Sequence, residues 1–392
     1  MELKERIEIL KEIGGKILSR KEELIDSFAR DIGVAVKIGS AEVEMTAGYL
    51  STMEEEAEWV KNRSPYGVVG AVLPYDAPTM MFARIAGSAV IGGNSVRISF
   101  SSLTPSTRDI VAEITGNIPQ IEINTDMDNR SFSDYCTKSR TVKAFFISGG
   151  KEVGRLFERR MESFEKLIFA GPGGMPPCLV LEDADPEKAA EFTAKRAFLN
   201  GGQYCTTIKR ALVHERVFDE FMHHLLERVD RIKVGDPYEP DTDYGPIKAK
   251  RTVVLVERAL RKIKGVYLRG GRIEGEFIPP TVVITQEIPD LEMFGPFLAV
   301  KKFKSNAGIV EEALKTRYPF IIYVFGGVSE REKRAIKETY GMHHFNPRFT
   351  FLPLRGAFGG KKESGWILER ENGCVKKRDG AVIYSVELTK PG

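Results

Sequence analysis

Gly67-Val-Val-Gly-Ala-Val-Leu73 stands between Pro65 and Pro74 and has no polar residue. The run is too short for a helix and shows no polar alternation, so it suits a strand buried on both faces. A helical pattern follows over about 79–90 and stops at Gly92-Gly93, a good C-terminal signal. Ser95-Val-Arg-Ile-Ser99 reads as a second strand, and Thr104-Pro105 opens another helix. A third strand, Lys143-Ala-Phe-Phe-Ile-Ser148, runs into Gly149-Gly150 and a helix over about 152–160. Strands alternating with helices at this interval imply βαβ units and a mostly parallel sheet.

Upstream of this unit, Ile7, Leu10, Ile13 and Ile17 recur at helical spacing, and Leu24, Ile25 and Phe28 continue the pattern in a stretch rich in Lys and Glu. Downstream, the pattern restarts after Phe169-Ala-Gly-Pro-Gly-Gly-Met-Pro-Pro177. Cys178-Leu-Val-Leu181 is a strand. Asp185-Pro186 supplies an N-cap and a first-turn proline for a helix that stops at Asn200-Gly201-Gly202. A long helix covers 215–232, and later strands include Pro280-Thr-Val-Val-Ile284 and Ile321-Ile-Tyr-Val-Phe325. Two α/β lobes meeting near residue 173 are expected. Ala381-Val-Ile-Tyr-Ser-Val-Glu-Leu388 reads as a strand with little core left to join, hence one that pairs with another subunit.

A length of 392 residues supports two or three domains with cores of their own. Lys plus Arg number 58 and Asp plus Glu 55, and the net charge of +3 is too small to imply nucleic acid or an anionic membrane as partner. The chain shows no targeting segment and no apolar run of about 18 residues. The four cysteines, Cys136, Cys178, Cys205 and Cys374, form no C-x-x-C pair, which argues against a disulfide scaffold or a zinc site. A cytoplasmic enzyme or assembly subunit without a metal is the class these features define.

The chemistry concentrates in Phe198-Leu-Asn-Gly-Gly-Gln-Tyr-Cys205-Thr-Thr. A thiol just past a helix stop, in a glycine-rich turn, has free backbone N–H groups to face it. Such donors stabilise both a thiolate and an oxyanion on a bound carbonyl. His223-His224 lie on a helix whose apolar stripe is Phe218, Phe221, Met222, Leu225 and Val229, so a solvated face is favoured over a metal site. His343-His344 lack acidic or thiol ligands at metal spacing and read as interdomain-loop residues.

Together these motifs resemble the aldehyde dehydrogenase superfamily, over nearly the whole chain and in the family's order. Asn200-Gly201-Gly202-Gln203-Tyr204-Cys205 is similar to the run around its nucleophilic cysteine, and Pro74-Tyr-Asp-Ala-Pro78 to its Pro-Trp-Asn-x-Pro turn. Phe146-Ile-Ser-Gly-Gly-Lys-Glu-Val-Gly154 resembles its cofactor loop, and Leu181-Glu-Asp-Ala-Asp185 the strand end that follows. Val234-Gly-Asp-Pro237 with Tyr244-Gly-Pro246, Glu292-Met-Phe-Gly-Pro296 and Phe358-Gly-Gly-Lys-Lys-Glu-Ser-Gly365 match further signatures. Some motifs resemble the CoA-acylating branch.

The resemblance implies an α/β fold of two Rossmann-like lobes with a small oligomerisation extension. Residues 1–46 and 66–173 would form the nucleotide-binding domain and 174–369 the catalytic domain, with 47–65 and 370–392 as oligomerisation elements of a homodimer or homotetramer. It further implies that Cys205 attacks an aldehyde, that hydride passes to NAD or NADP, and that the thioester is released to water or to a thiol such as CoA. Gly149, Gly150, Lys151 and Gly154 would lie at the cofactor pyrophosphate, and Glu292 with Phe294 at the nicotinamide ribose.

Three departures qualify this. Gly171, in Gly171-Pro-Gly-Gly-Met-Pro-Pro177, stands where hydrolytic members carry the general-base glutamate, which favours release to a thiol. Asp76 stands where the family has the amide that donates to the oxyanion, and an ionised carboxylate has no proton to donate. Ser99-Phe-Ser-Ser102 replaces the Lys-Pro-Ser-Glu run at the adenine ribose, and period-2 alternation puts Arg97 on the face of Ser99, where it would favour a 2′-phosphate. The segment between Ser99 and Lys143 is also compressed. The competing readings are a catalytically reduced nucleotide-binding or assembly subunit, and an acyl-thioester or acyl-phosphate reductase using the same cysteine. The substrate tunnel is expected around Met80, Met81 and the 345–354 loop.

Overall fold

The computed structural model describes residues 1–348 and 351–392. Positions 349 and 350 of the expected tunnel loop lie outside the described residues.

Three helices, Leu3–Ser19, Lys21–Ile32 and Val36–Ser51, open the chain and pack the apolar stripe that begins at Leu10 and Ile13 into the first core. The second helix ends at Gly33, whose φ of 73° is the left-handed conformation that closes a helix. The expected 79–90 helix is present but not uniform. It starts at Pro78–Phe82, widens into a π-helical turn over Ala83–Gly87, and resumes as Ser88–Ile91.

Seven strands form the first sheet, in the order Cys374–Arg378, Gly365–Glu371, Lys166–Ala170, Val142–Ser148, Val68–Val72, Ser95–Ser99 and Ile121–Ile123. The five from Lys166–Ala170 to Ile121–Ile123 are parallel, and the remaining two form an antiparallel hairpin on one edge. Val68–Val72 is flanked by parallel strands on both sides, which is why it is apolar throughout. Successive strands leave it in both directions, so the chain reverses its strand order there. In open α/β sheets that reversal opens a crevice beyond the carboxyl ends of the strands.

The second sheet also has seven strands, ordered Met342–Phe345, Ile321–Phe325, Pro177–Val180, Arg210–His214, Phe297–Phe303, Thr281–Ile284 and Val266–Arg269, parallel except for the last. The helix Pro186–Phe198 covers it, with Asp185 accepting the Lys188 N–H at 3.0 Å as its N-cap. Such a cap contributes ~1 kcal/mol.

Three expectations are corrected here. Residues 381–388 are not a strand: Tyr384–Glu387 is a short helix whose Tyr384 is buried against Phe146. The C-terminal strand is Thr389–Pro391, and it pairs antiparallel with Arg63–Pro65 of the same chain. The Arg63 side chain ties this pair together through Thr389 and the Val386 carbonyl, so the partner is intramolecular. The strand Gly365–Glu371, read as part of the catalytic segment 174–369, belongs to the first sheet, where it pairs with Lys166–Ala170. His343 and His344 lie on the edge strand Met342–Phe345, not in an interdomain loop.

Candidate active site

The crevice between the lobes is a cavity of about 390 Å³. One end is walled by Leu73, Ser148, Gly149 and Asn129, at the carboxyl side of the first sheet, and the other by Cys205 and Arg84. Glu292 and Phe294 reach into it from the second lobe.

Cys205 sits just past the turn Leu199–Gly202, where Asn200 and Gly201 adopt positive φ of 52° and 59° and break the preceding helix. The buried Lys209 ammonium holds this turn by donating to the Gly202 and Gly295 carbonyls at 2.8 and 2.5 Å. That bridge fixes the turn before Cys205 against the loop that carries Glu292 and Phe294. From the other side, the Gly171–Gly174 loop lies against the Cys205 backbone so closely that a Cβ on Gly173 would meet the Cys205 carbonyl at 1.9 Å. The thiol is reached from the cavity but is far from bulk water. Burial and the Asp76 carboxylate push its pKa up, while Arg84 and Arg196 pull the other way, so the ligand-free sulfur rests as a thiol.

Asp76 lines the same cavity and is buried. Desolvation raises its pKa to about 7, and the only hydrogen bond that opposes the shift is from its own backbone N–H. Nearby, Glu42 on the Val36–Ser51 helix accepts from the Thr79 N–H at 3.0 Å and the Thr79 hydroxyl at 2.8 Å, which caps the Pro78–Phe82 helix. Its burial likewise raises its pKa to about 7.

Two arginines that the sequence reading did not single out complete the wall. Arg84, inside the π-helical turn, is buried, lies 4.0 Å above the Phe358 ring, and donates to the Leu354 carbonyl at 3.3 Å. Its Nε has no hydrogen bond and it makes no ion pair within 4 Å among the described residues, with Glu56 acting on it only from farther away. Arg196 is held by the Thr206 carbonyl and hydroxyl at 3.0 and 2.8 Å and by the Tyr323 hydroxyl at 3.2 Å. A lone arginine in the apolar 79–90 pattern was the available signal for the first of these.

The cofactor residues divide. Gly149, Gly150, Glu292 and Phe294 line the cavity. Gly150 precedes the helix Lys151–Glu158, whose first N–H groups are free for an anion. A Cβ on Gly150 would strike the Arg251 guanidinium at 2.4 Å, and Arg251 donates to both oxygens of Glu292 at 2.8 and 3.0 Å. A helix terminus, a second cation and a carboxylate along one crevice suit the diphosphate and ribose of a dinucleotide.

The other expected contacts are elsewhere. Arg97 is paired with Glu122 at 2.8 Å and donates to the Tyr135 hydroxyl, outside the cavity, so the argument for a 2′-phosphate loses its cation. Ser99 is buried and donates to Asn129, and Asn129 is the residue that faces the crevice. Lys151 turns to Glu363 at 3.1 Å, and Gly154 is a packing glycine whose Cβ would overlap the Phe169 ring at 2.6 Å. Gly171 lines the cavity. His223 and His224 share Glu227 at 3.8 and 3.7 Å on a largely solvent-facing helix surface, away from the cavity. Among the described residues no helix is long and apolar enough to cross a membrane.

Comparison with known proteins agrees with this geometry. The aldehyde dehydrogenase family model matches residues 1–377. The chain is 28% identical over 387 residues to a lactaldehyde dehydrogenase of Methanococcus maripaludis, covering 92% of this chain and 83% of that protein. It is 26% identical over 393 residues to a 3-sulfolactaldehyde dehydrogenase of Priestia aryabhattai, covering 92% and 82%. The solved structure of a 3,6-anhydro-L-galactose dehydrogenase in complex with NADP superposes with a TM-score of 0.86 at 25% identity, covering 100% of this chain and 86% of that one. With two mostly parallel α/β sheets, a crevice between them and a family match over most of its length, the chain belongs to the aldehyde dehydrogenase family.

Proposed function

We propose that the protein oxidises a small aldehyde that carries an anionic group, with Cys205 as covalent nucleophile. The observation that carries this reading is Arg84, a buried guanidinium facing the Cys205 cavity without a carboxylate partner. A buried charge without an opposite charge is costly, and a substrate carboxylate or sulfonate offsets that cost. One relative is named for a sulfonated aldehyde, which accords with this.

The sulfur of Cys205 forms a bond to the carbonyl carbon, and the carbonyl oxygen gains a negative charge beside the nucleophile turn and Asp76. Gly149, Gly150 and Arg251 would hold the diphosphate of NAD(P)+ and Glu292 its nicotinamide ribose, and the cofactor would supply the hydride acceptor. Loss of hydride leaves a thioester on Cys205. Arg84 and Arg196 hold the distant anionic group, which fixes the distance from anion to aldehyde carbon and excludes longer substrates.

The test is formation of reduced nicotinamide by purified protein with NAD+ or NADP+, using succinate semialdehyde against its neutral analogue butanal, with and without CoA. The charged aldehyde is expected to react with the higher kcat/KM, and Cys205→Ala to abolish the signal while still binding cofactor. Equal reaction of both aldehydes would remove the role given to Arg84.

A further inference from the structure

An enzyme that forms a thioester must also release it, and Gly171 lacks the carboxylate that other members use for water. The structure shows that this space has been filled. A Cβ on Gly171 would lie 2.7 Å from the Phe169 ring and 3.0 Å from the Ser364 carbonyl oxygen, and the Gly171 N–H is already bonded to that same oxygen at 2.9 Å. A glutamate enters there only by displacing the Phe169 ring.

The cavity contains two other carboxylates, Glu292 and Asp76. Glu292 is ion-paired to Arg251 in the part of the crevice given to the cofactor. Asp76 has no ion pair and no hydrogen bond to another residue's side chain among the described residues, and it shares its cavity with the Cys205 sulfur. We propose that Asp76 is the general base of this enzyme, taking the proton from the water that attacks the Cys205 thioester. The proposal rests on the reading of Cys205 as nucleophile and replaces the expectation of release to CoA.

The proton balance closes with this one group. As the Cys205 sulfur bonds to the aldehyde carbon, its proton passes to the Asp76 carboxylate. Protonated Asp76 then donates to the alkoxide, which supplies the donor that an ionised carboxylate lacks. Once the thioester has formed, Asp76 gives this proton to solvent. The Asp76 carboxylate next takes a proton from water as the water oxygen bonds to the thioester carbon. The carbon–sulfur bond breaks, and the departing sulfur recovers its proton from Asp76. The net change is aldehyde, oxidised nicotinamide and water to carboxylic acid, reduced nicotinamide and one proton.

Burial favours this double duty. A carboxyl whose pKa is raised to about 7 is present in both forms near neutral pH, and a general base works best near the operating pH. The groups facing it are Glu42 from the Val36–Ser51 helix, Tyr75 beside it, and Tyr204 and Cys205 from the nucleophile turn. Glu42 and Asp76 repel, which keeps one of them protonated below neutral pH.

The discriminating variant is Asp76→Asn, because an amide still donates to the oxyanion but accepts no proton from water. Wild type and variant would be mixed rapidly with NADP+ or NAD+ and succinate semialdehyde, without any thiol, and quenched for intact mass. Wild type is expected to turn over continuously. Asp76→Asn is expected to acylate more slowly than wild type, because the Cys205 proton must then pass to solvent, and to stop after about one reduced nicotinamide per site, with a steady rate ~10²–10⁴-fold lower and the acyl mass retained on Cys205. A steady rate within about threefold of wild type would overturn the proposal. So would a wild-type burst that turns over only after CoA is added. No reduced nicotinamide from either protein, with cofactor still bound, would instead remove the nucleophile reading itself. Should Asp76→Asn fail to fold, the pH profile of wild type decides. The steady rate is expected to fall about tenfold per pH unit below the Asp76 pKa, and a flat profile from pH 5 to 8 would exclude Asp76 as base.

Discussion

Arg251 pairs with Glu292 of its own lobe, donating to both carboxylate oxygens at 2.8 and 3.0 Å, while its guanidinium crosses the crevice to cover Gly150 at the mouth of the Lys151–Glu158 helix. This places a cation from the second lobe beside the N-terminal end of a first-lobe helix. Substituting Arg251→Ala is expected to raise the Kd for ADP-ribose, a probe that carries the diphosphate without the nicotinamide, about 10–100-fold, the worth of one charge-assisted hydrogen bond. Calorimetric titration measures this directly. An unchanged Kd would put the diphosphate away from Gly150.

Arg84→Gln removes the buried charge but keeps a side chain of similar length. KM for succinate semialdehyde should rise about 10–100-fold, and that for butanal much less, since only the first loses a paired ion. Steady-state kinetics on the two aldehydes give the comparison. Parallel changes in both would mean that Arg84 supports the π-helical turn and does not bind substrate.

Restoring the family's glutamate by Gly171→Glu should not increase turnover. Its side chain would displace the Phe169 ring, which packs at a tilt against Trp366, centroids 4.4 Å apart, in the core of the first lobe. Overpacking of this kind costs about 1–3 kcal/mol. Urea unfolding should show that loss, and a faster, fully stable variant would contradict the geometry.

Glu42 makes stability depend on pH in an unusual direction. Its folded pKa of about 7 lies above the unfolded value of 4.5, so the native state holds a proton that the unfolded chain has released across that window. Stability from this group is therefore full below pH 4.5, falls as pH rises towards 7, and is constant beyond, a loss of up to ~3 kcal/mol. Unfolding wild type and Glu42→Gln at pH 5 and pH 8 isolates the effect, and the variant should gain relative to wild type at the higher pH. A difference that is identical at both values would show that Glu42 does not titrate in this range.

Much of the architecture was legible because burial writes itself into local pattern. The apolar run at Val68–Val72 marks a strand covered on both faces, and Asp185-Pro186 marks a helix start with its own capping chemistry. Asn200-Gly201-Gly202 signals a break because its residues tolerate positive φ, and Cys205 follows from that break. The C-terminal segment failed for a matching reason. Ala381–Leu388 has the apolar content of a strand, yet its burial comes from Tyr384 and Leu388 packing into the first lobe, and three residues at the end make the actual strand. Strand Gly365–Glu371 was misassigned because sheet membership depends on a distant partner, Lys166–Ala170, which no local pattern specifies.

The site divides along the same line. Chain order by itself determined the glycine-rich turn before Cys205, the glycine pair before the Lys151–Glu158 helix, and a glycine at position 171, because each is a statement about neighbouring residues. Tertiary structure alone decided which charges meet. Arg97 is spent on Glu122, whereas Arg84, an arginine inside an apolar helix, is turned into the cavity by one π-helical turn. It also decided that the Phe169 ring lies against Gly171 and that Asp76 shares a cavity with Cys205. Electrostatic partners are fixed by distance through space and by desolvation, and the fold sets both by bringing segments far apart in sequence to one crevice.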